Sequence, residues 1–302
     1  MKSAPAESLW RPSLLPLWFS MGALWLLHWL PLQAALGNAV GWLLAMKPGR
    51  RRRIVATNLA LCFPEASIAT RRRWLRQTFQ ASMRAVLEHG VLWWGSEARL
   101  RRLIKIDNPE AALGDGARPV IWLAPHFVGL DMGGVRLTMD RQIVSIYAPS
   151  KDPVTDRFMQ RGRSRFFPIT LIARGEGIKP ALKALKRHLP FYYLPDQDYG
   201  RRNAEFVPFF GVPAATVSAL PRLAKLAGAQ IVPVVTRQLP WGRGYAVHFY
   251  PPWEDYPGDD VVADVARMNA FIEERIREMP AQYLWLHRRF KTRPVGEPSF
   301  YD

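Results

Sequence analysis

A chain of 302 residues in which 49% are hydrophobic has apolar material for one large or two small cores, which excludes a mostly disordered protein. Lys and Arg number 42 against 25 Asp and Glu, a formal charge of +17 that favours anionic partners: lipid headgroups, phosphorylated substrates, acidic proteins or nucleic acid. The single cysteine, Cys62, excludes an internal disulfide and a cysteine-based zinc site, and 12 Trp tilt the basic charge towards a membrane boundary.

Residues 14–32 read LLPLWFSMGALWLLHWLPL, without Asp, Glu, Lys or Arg and interrupted only by His28. A bilayer-spanning helix needs roughly 20 apolar residues. The run nearly reaches that length, but Pro16 and Pro31 shorten any continuous helix, so a spanning anchor and one lying in a single leaflet both fit. No small-residue cleavage site closes the run and a second apolar stretch follows at 34–46, which argues for retention over removal as a signal peptide. Arg50 to Arg53 and Arg71 to Arg73 follow, a basic cluster that would hold the body on the cytoplasmic side of a membrane; the plainer reading is a solvated basic turn. Residues 1–50 are therefore read as a membrane anchor and 51–302 as the main domain.

Residues 54–106 are predicted helical, with an amphipathic segment over 68–94 carrying Leu75, Phe79, Met83, Val86 and Leu87; 51–106 would form a helical layer. From residue 118 short apolar runs alternate with helical patterns. Strands are predicted at 119–124, 142–147, 169–173, 191–194, 231–236 and 245–250, and helices at 129–139, 153–166, 178–188 and 216–227. That alternation predicts an α/β fold, a mixed and mostly parallel sheet flanked by helices. A last amphipathic helix is predicted over 260–279, and neither repeats nor low-complexity linkers are present.

Pro125-His126-Phe127-Val128-Gly129-Leu130-Asp131 directly follows the first strand of the alternating region, where ligand sites of open α/β sheets form. A neutral imidazole can take a proton from an alcohol, and a nearby carboxylate can fix its tautomer. Asp131 is the nearest candidate for that carboxylate. On a continuous helix a separation of five points side chains about 140° apart, so contact requires His126 on the turn and Asp131 in the first helical turn. An HxxxxD match is short, and the alternative is a structural histidine.

The order of several further segments gives the chain its resemblance to a known family. They are NLALCFPE at 58–65, the HxxxxD motif at 126–131, RGRSR at 161–165, Arg174 after a strand, PDQDYG at 195–200, FVPFFG at 206–211, IVPV at 231–234 and QYLWLHRRFKTRP at 282–294. Over nearly its whole length the chain resembles the late acyltransferases of lipid A biosynthesis, within the lysophospholipid acyltransferase superfamily. The resemblance implies a glycerolipid acyltransferase-like fold, His126 as general base, Asp131 orienting it, and an acyl thioester on acyl carrier protein as donor. It also implies a Kdo-bearing lipid A precursor as acceptor and the cytoplasmic face of a bacterial inner membrane as location. Many lipid A members carry Glu where this chain has Asp131, and the wider superfamily commonly has Asp there.

Arg163, Arg165 and Arg174 are candidate phosphate binders, because a planar guanidinium holds two oxygens and stays charged. The resemblance points hardest at Arg174. Asp196, Gln197 and Asp198 follow a buried-looking strand where relatives keep an acceptor-contacting acidic motif; the plainer reading is turn capping before Gly200. No Cys/His cluster suggests a metal, and the implied reaction requires no cofactor beyond the acyl donor. Near the C-terminus Arg288, Arg289, Lys291 and Arg293 interleave with Trp285, His287 and Phe290, a pattern read as facing membrane phospholipids or an acidic carrier and not nucleic acid. Transfer to another membrane lipid, such as a glycolipid or ornithine lipid, and a membrane-tethered basic binding module remain the alternatives.

Overall fold

The computed structural model describes residues 11–150, 152–173 and 176–301. The apolar N-terminal run forms two helices, α1 (Leu15–Trp29) and α2 (Gln33–Met46), broken at Pro31. Among the described residues no helix is long and apolar enough to cross a membrane, which corrects the spanning reading of residues 14–32. Three more helices follow: α3 (Arg50–Cys62), α4 (Ile68–Trp94) and α5 (Glu97–Leu103). Ser67 starts α4 by accepting from the Thr70 N–H at 3.1 Å, an N-cap that satisfies one of the four free donors of the first turn.

The N-terminal hairpin is fixed to α4 by small residues. A Cβ at Gly41 would lie 2.5 Å from the Gln80 Cα, and one at Gly37 would lie 2.4 Å from the Arg84 Cα. Gly37, Gly41 and Ala45 recur every fourth residue, so one face of α2 lets the two backbones approach closely. The proposed boundary near residue 50 thus falls inside one packed helical layer.

The sheet has seven strands in the order β1 (Ile104–Asp107), β9 (Tyr245–Phe249), β8 (Gln230–Gln238), β2 (Val120–Leu123), β5 (Phe191–Tyr193), β3 (Val144–Tyr147) and β4 (Thr170–Ala173). Every neighbouring pair is parallel except β8 with β9. This is the mixed, mostly parallel α/β sheet that the alternating pattern predicts. Because β2 is buried on both faces, its residues alternate between two cores: Ile121 and Leu123 enter one, Val120 and Trp122 the other.

Helices α6 (Leu130–Leu137), α7 (Pro153–Arg163), α8 (Lys179–Leu185), α9 (Ala219–Ala227) and α10 (Val261–Glu278) complete the chain. Two features depart from the sequence reading. Residues 104–107 form an edge strand in place of helix, and residues 204–217 form an antiparallel hairpin of β6 (Ala204–Phe209) and β7 (Val212–Val217). The hairpin turns at Phe210-Gly211, both with positive φ (52° and 75°), as a two-residue β-turn requires. Phe210 is an unusual residue there; its ring is held beside Phe63 and under the Arg277 guanidinium, 4.5 Å from the centroid.

Candidate active site

His126 leaves the carboxyl end of β2 at the middle of the sheet, and the segment after the adjacent β5 carries Asp196. Their strands pair in register through Leu123 and Tyr193, and the Ala124 N–H donates to the Tyr193 carbonyl at 2.9 Å. The two following loops therefore meet. Asp196 accepts from the His126 backbone N–H at 2.9 Å and from its Nδ1 at 2.6 Å. An ionised carboxylate can only accept, so the proton sits on Nδ1 and the Nε2 lone pair is left for other partners. Burial opposes the charge on the fully buried Asp196, but the His126 ring and backbone N–H outweigh it and hold the carboxyl below its ordinary range. From the other side the C-terminal segment clamps the loop: the Leu284 N–H donates to the His126 carbonyl at 3.0 Å and Val128 donates to Gln282 at 2.8 Å.

Asp131 occupies the first turn of α6, as the motif requires, but its oxygens meet other partners. Arg163 donates to Oδ1 from Nη2 at 2.7 Å and from Nε at 3.1 Å, and His89 lies 3.3 Å from Oδ2. The expected His126–Asp131 contact is absent among the described residues; β5 brings Asp196 to the imidazole first, and Arg163 occupies Asp131. Burial raises the Asp131 pKa, yet the Arg163 charge and the His89 contact outweigh it and depress the carboxyl strongly. Burial likewise lowers the His89 pKa, and the bond to Asp131 reverses the sign and raises it above 6.5. Helix α6 is set by close approach to β8: a Cβ at Gly133 would lie 2.0 Å from the Thr236 Oγ1.

Both His126 and Asp131 line one cavity of about 750 Å³. It extends under α6 and α7 past Arg163, Thr138, Ser145 and Leu171, and on the other side past Gln197, Tyr199 and Arg202. The larger part of its wall is carbon. Arg163 and Gln197, both predicted, are therefore brought to the cavity. Arg165 is not: its guanidinium donates to the Leu92 and Gly95 carbonyls at 2.5 and 2.7 Å, satisfying oxygens at the C-terminus of α4. Asp198 is not either; fully buried, it accepts from Gly200 N–H, Thr292 N–H and the Thr292 hydroxyl, tying the turn to the C-terminal tail. Asp196 touches His126 and not the cavity wall. Arg174 lies outside the described residues. Among the described residues no group of three or more His, Cys, Asp or Glu gathers as a metal site.

Sequence reasoning missed His89 and Arg202. His89 sits on the buried stripe of α4, where periodicity reads only core. Arg202 carries a clearer signal, because a cation two residues past the PDQDYG segment sits beside the loop that supplies Asp196.

The model of the bacterial lipid A biosynthesis acyltransferases matches residues 6–292. The chain belongs to that family, and it is an acyltransferase. A lipid A biosynthesis lauroyltransferase of Escherichia coli (strain K12) is 37% identical over 289 residues, 94% of each chain. A lipid A biosynthesis palmitoleoyltransferase of the same organism is 35% identical over 290 residues, again 94% of each. A solved 1-acyl-sn-glycerophosphate acyltransferase from Thermotoga maritima covers 83% of this chain and 99% of its own, at 14% identity and a TM-score of 0.38. In this chain a histidine whose Nε2 makes no hydrogen bond among the described residues lines a largely apolar cavity.

Proposed function

We propose that the enzyme transfers a fatty acyl chain from acyl carrier protein to a hydroxyl of a Kdo-bearing lipid A precursor, with His126 as general base. The observation that carries this reading is the 2.6 Å bond from His126 Nδ1 to the buried Asp196, which leaves Nε2 as the acceptor of a hydroxyl proton. The acceptor oxygen forms a bond to the thioester carbonyl carbon, the carbon–sulfur bond breaks, and the proton on Nε2 passes to the leaving thiolate. The first turn of α6 brings the positive end of a helix beside the cavity, where the thioester oxygen gains charge. The apolar wall accommodates an acyl chain, and Arg202 and Nη1 of Arg163, which makes no bond among the described residues, supply cationic contacts for a phosphorylated acceptor. No cofactor enters the scheme.

The site works at a membrane surface in this reading. Helices α1 and α2 expose Phe19 (75%), Leu26, Trp29 (66%) and Leu43, a face unlike that of a soluble protein. At 15 residues α1 is about 22 Å long, shorter than the roughly 30 Å hydrocarbon core, so the hairpin lies in one leaflet. The arginines after it support a body on the cytoplasmic side of the inner membrane.

The test is transfer of labelled acyl groups from acyl carrier protein to the Kdo-bearing precursor in detergent, comparing wild type with His126→Ala. Loss of about 10² to 10⁴ in rate by a variant with unchanged thermal unfolding is the expected result. Acylation of a different lipid alone would refute the acceptor, and a fully active variant would refute the base.

A further inference from the structure

A second cavity, of about 350 Å³, opens between the C-terminal end of α2, the first turn of α3 and the start of α4, and shares no residue with the catalytic cavity. Its floor is apolar, formed by Ala45 and Leu75, both buried. Its rim carries Arg52, Arg72 and Arg76 and no acidic side chain. Arg52 donates from Nε to the Ala45 carbonyl at 3.0 Å, which holds its guanidinium at the rim, and neither terminal nitrogen is bonded among the described residues. Arg72 and Arg76 lie one helical turn apart on α4 and make no hydrogen bond or ion pair among the described residues. Three guanidinium groups around one concavity repel each other, and an anion seated among them removes that cost.

The mouth of this cavity also decides what kind of anion fits. Met46, 54% exposed at its edge, continues into Leu43 and Trp42, both exposed, on the outer face of α2. A ligand with a phosphate at one end and hydrocarbon at the other matches that sequence of surfaces. We propose that Arg52, Arg72 and Arg76 bind the phosphate of an anionic glycerophospholipid whose acyl chains lie along α2. The site rests on the membrane-surface reading of α1 and α2, and adds to it a lipid headgroup preference. An acidic protein would meet the arginines but would leave the apolar ramp uncovered.

The experiment uses the full chain and the monomeric short-chain lipid dihexanoyl phosphatidylglycerol, titrated by calorimetry against wild type and an Arg72→Gln, Arg76→Gln double variant. Both arginines are exposed, so the variant folds, and its transfer activity in detergent stays within about twofold. The expected result is binding to wild type that weakens roughly tenfold or more in the variant, with weaker binding of dihexanoyl phosphatidylcholine and of glycerol 3-phosphate to both. Equal affinity of wild type and variant for the anionic lipid overturns the site. Glycerol 3-phosphate binding as tightly as the lipid overturns the lipid assignment, leaving a phosphate site. Loss of acyl carrier protein binding in the variant, with lipid binding intact, assigns the arginines to the acidic protein and overturns the proposal. Flotation of wild type on phosphatidylcholine vesicles reads the apolar face separately; its failure would refute the membrane reading without touching the calorimetric result.

Discussion

Two histidine–carboxylate pairs flank one cavity, and they are built differently. In the His126–Asp196 pair the carboxylate is fully buried, accepts from the imidazole at 2.6 Å and, among the described residues, meets no lysine or arginine. In the His89–Asp131 pair the contact is 3.3 Å, the carboxylate is 27% exposed, and Arg163 takes its other oxygen through two nitrogens. The Arg163 guanidinium offsets part of the field that Asp131 exerts on His89, whereas among the described residues no guanidinium competes for Asp196. Asp196 is thus equipped to fix a tautomer and, in the proposed reaction, to stabilise the cation that would form on His126. Asp131 is equipped to fix the position of Arg163 in the cavity wall.

The largest effect expected from this difference is on turnover. Asp196→Asn removes the negative charge and leaves one accepting oxygen for the two N–H donors of His126, so the imidazole loses the carboxylate that fixes its tautomer; kcat should fall by about 10² to 10⁴. Asp131→Asn should lower kcat less and raise KM for the acceptor, because Arg163 loses its partner. Single-turnover rates with both variants decide between the two carboxylates. A deeper kcat loss at Asp131 than at Asp196 would mean that His126 changes partner during the reaction, swinging from the arrangement described here onto the acid of its own motif.

The sequence made one of these two carboxylates far easier to find as a partner than the other. Asp131 is five residues from His126, and spacing alone brings it forward. Asp196 is 70 residues away and meets His126 only because β5 inserts next to β2 in the sheet, which no local pattern records. The same contrast runs through the fold. The buried runs that became β2, β3, β5 and β8 were legible because parallel strands covered on both faces are continuously apolar. The hairpin of β6 and β7 was not, since Pro208 and Pro213 face each other within it and its turn uses Phe210 where Asn or Gly is usual. The break of the apolar N-terminus was legible as well, since α1 and α2 part around Pro31, whereas Pro16 only sits in the first turn of α1.

A smaller effect separates the two arginines that the sequence treats as equivalent. Arg165→Ala leaves the Leu92 and Gly95 carbonyls without their donors, and should cost about 1–3 kcal/mol of stability with little change in KM. Arg163→Ala should raise KM for the phosphorylated acceptor, with a thermal shift no larger than that of Arg165→Ala. Denaturation and initial-rate curves on both variants test the division. An Arg165→Ala enzyme with normal stability and a raised KM would return that side chain to the substrate.

The smallest effect is a change of sign with pH. With its pKa raised by Asp131, the folded His89 binds its proton more tightly than the unfolded chain does. Its contribution to stability is therefore full below about 6.5 and fades as pH rises through the raised value. Asp131 works in the opposite direction: its depressed carboxyl stabilises the fold above the ordinary carboxylate range and loses that contribution as pH falls below it. Between those limits the contact is complete. Asp131→Asn removes the bond and charge that raise His89 most and leaves the Ala85 carbonyl against burial and the Arg163 charge, so the folded variant binds the His89 proton less tightly than the folded wild type. Stability of the wild type relative to the variant should then decline as pH rises from about 5.5 to 7.5, a range in which the carboxylates do not titrate. Urea midpoints measured across that range, together with the His89 ring resonances, check the sign. A flat difference would mean that Arg163 alone holds Asp131, and that His89 contributes packing against Trp93 rather than charge.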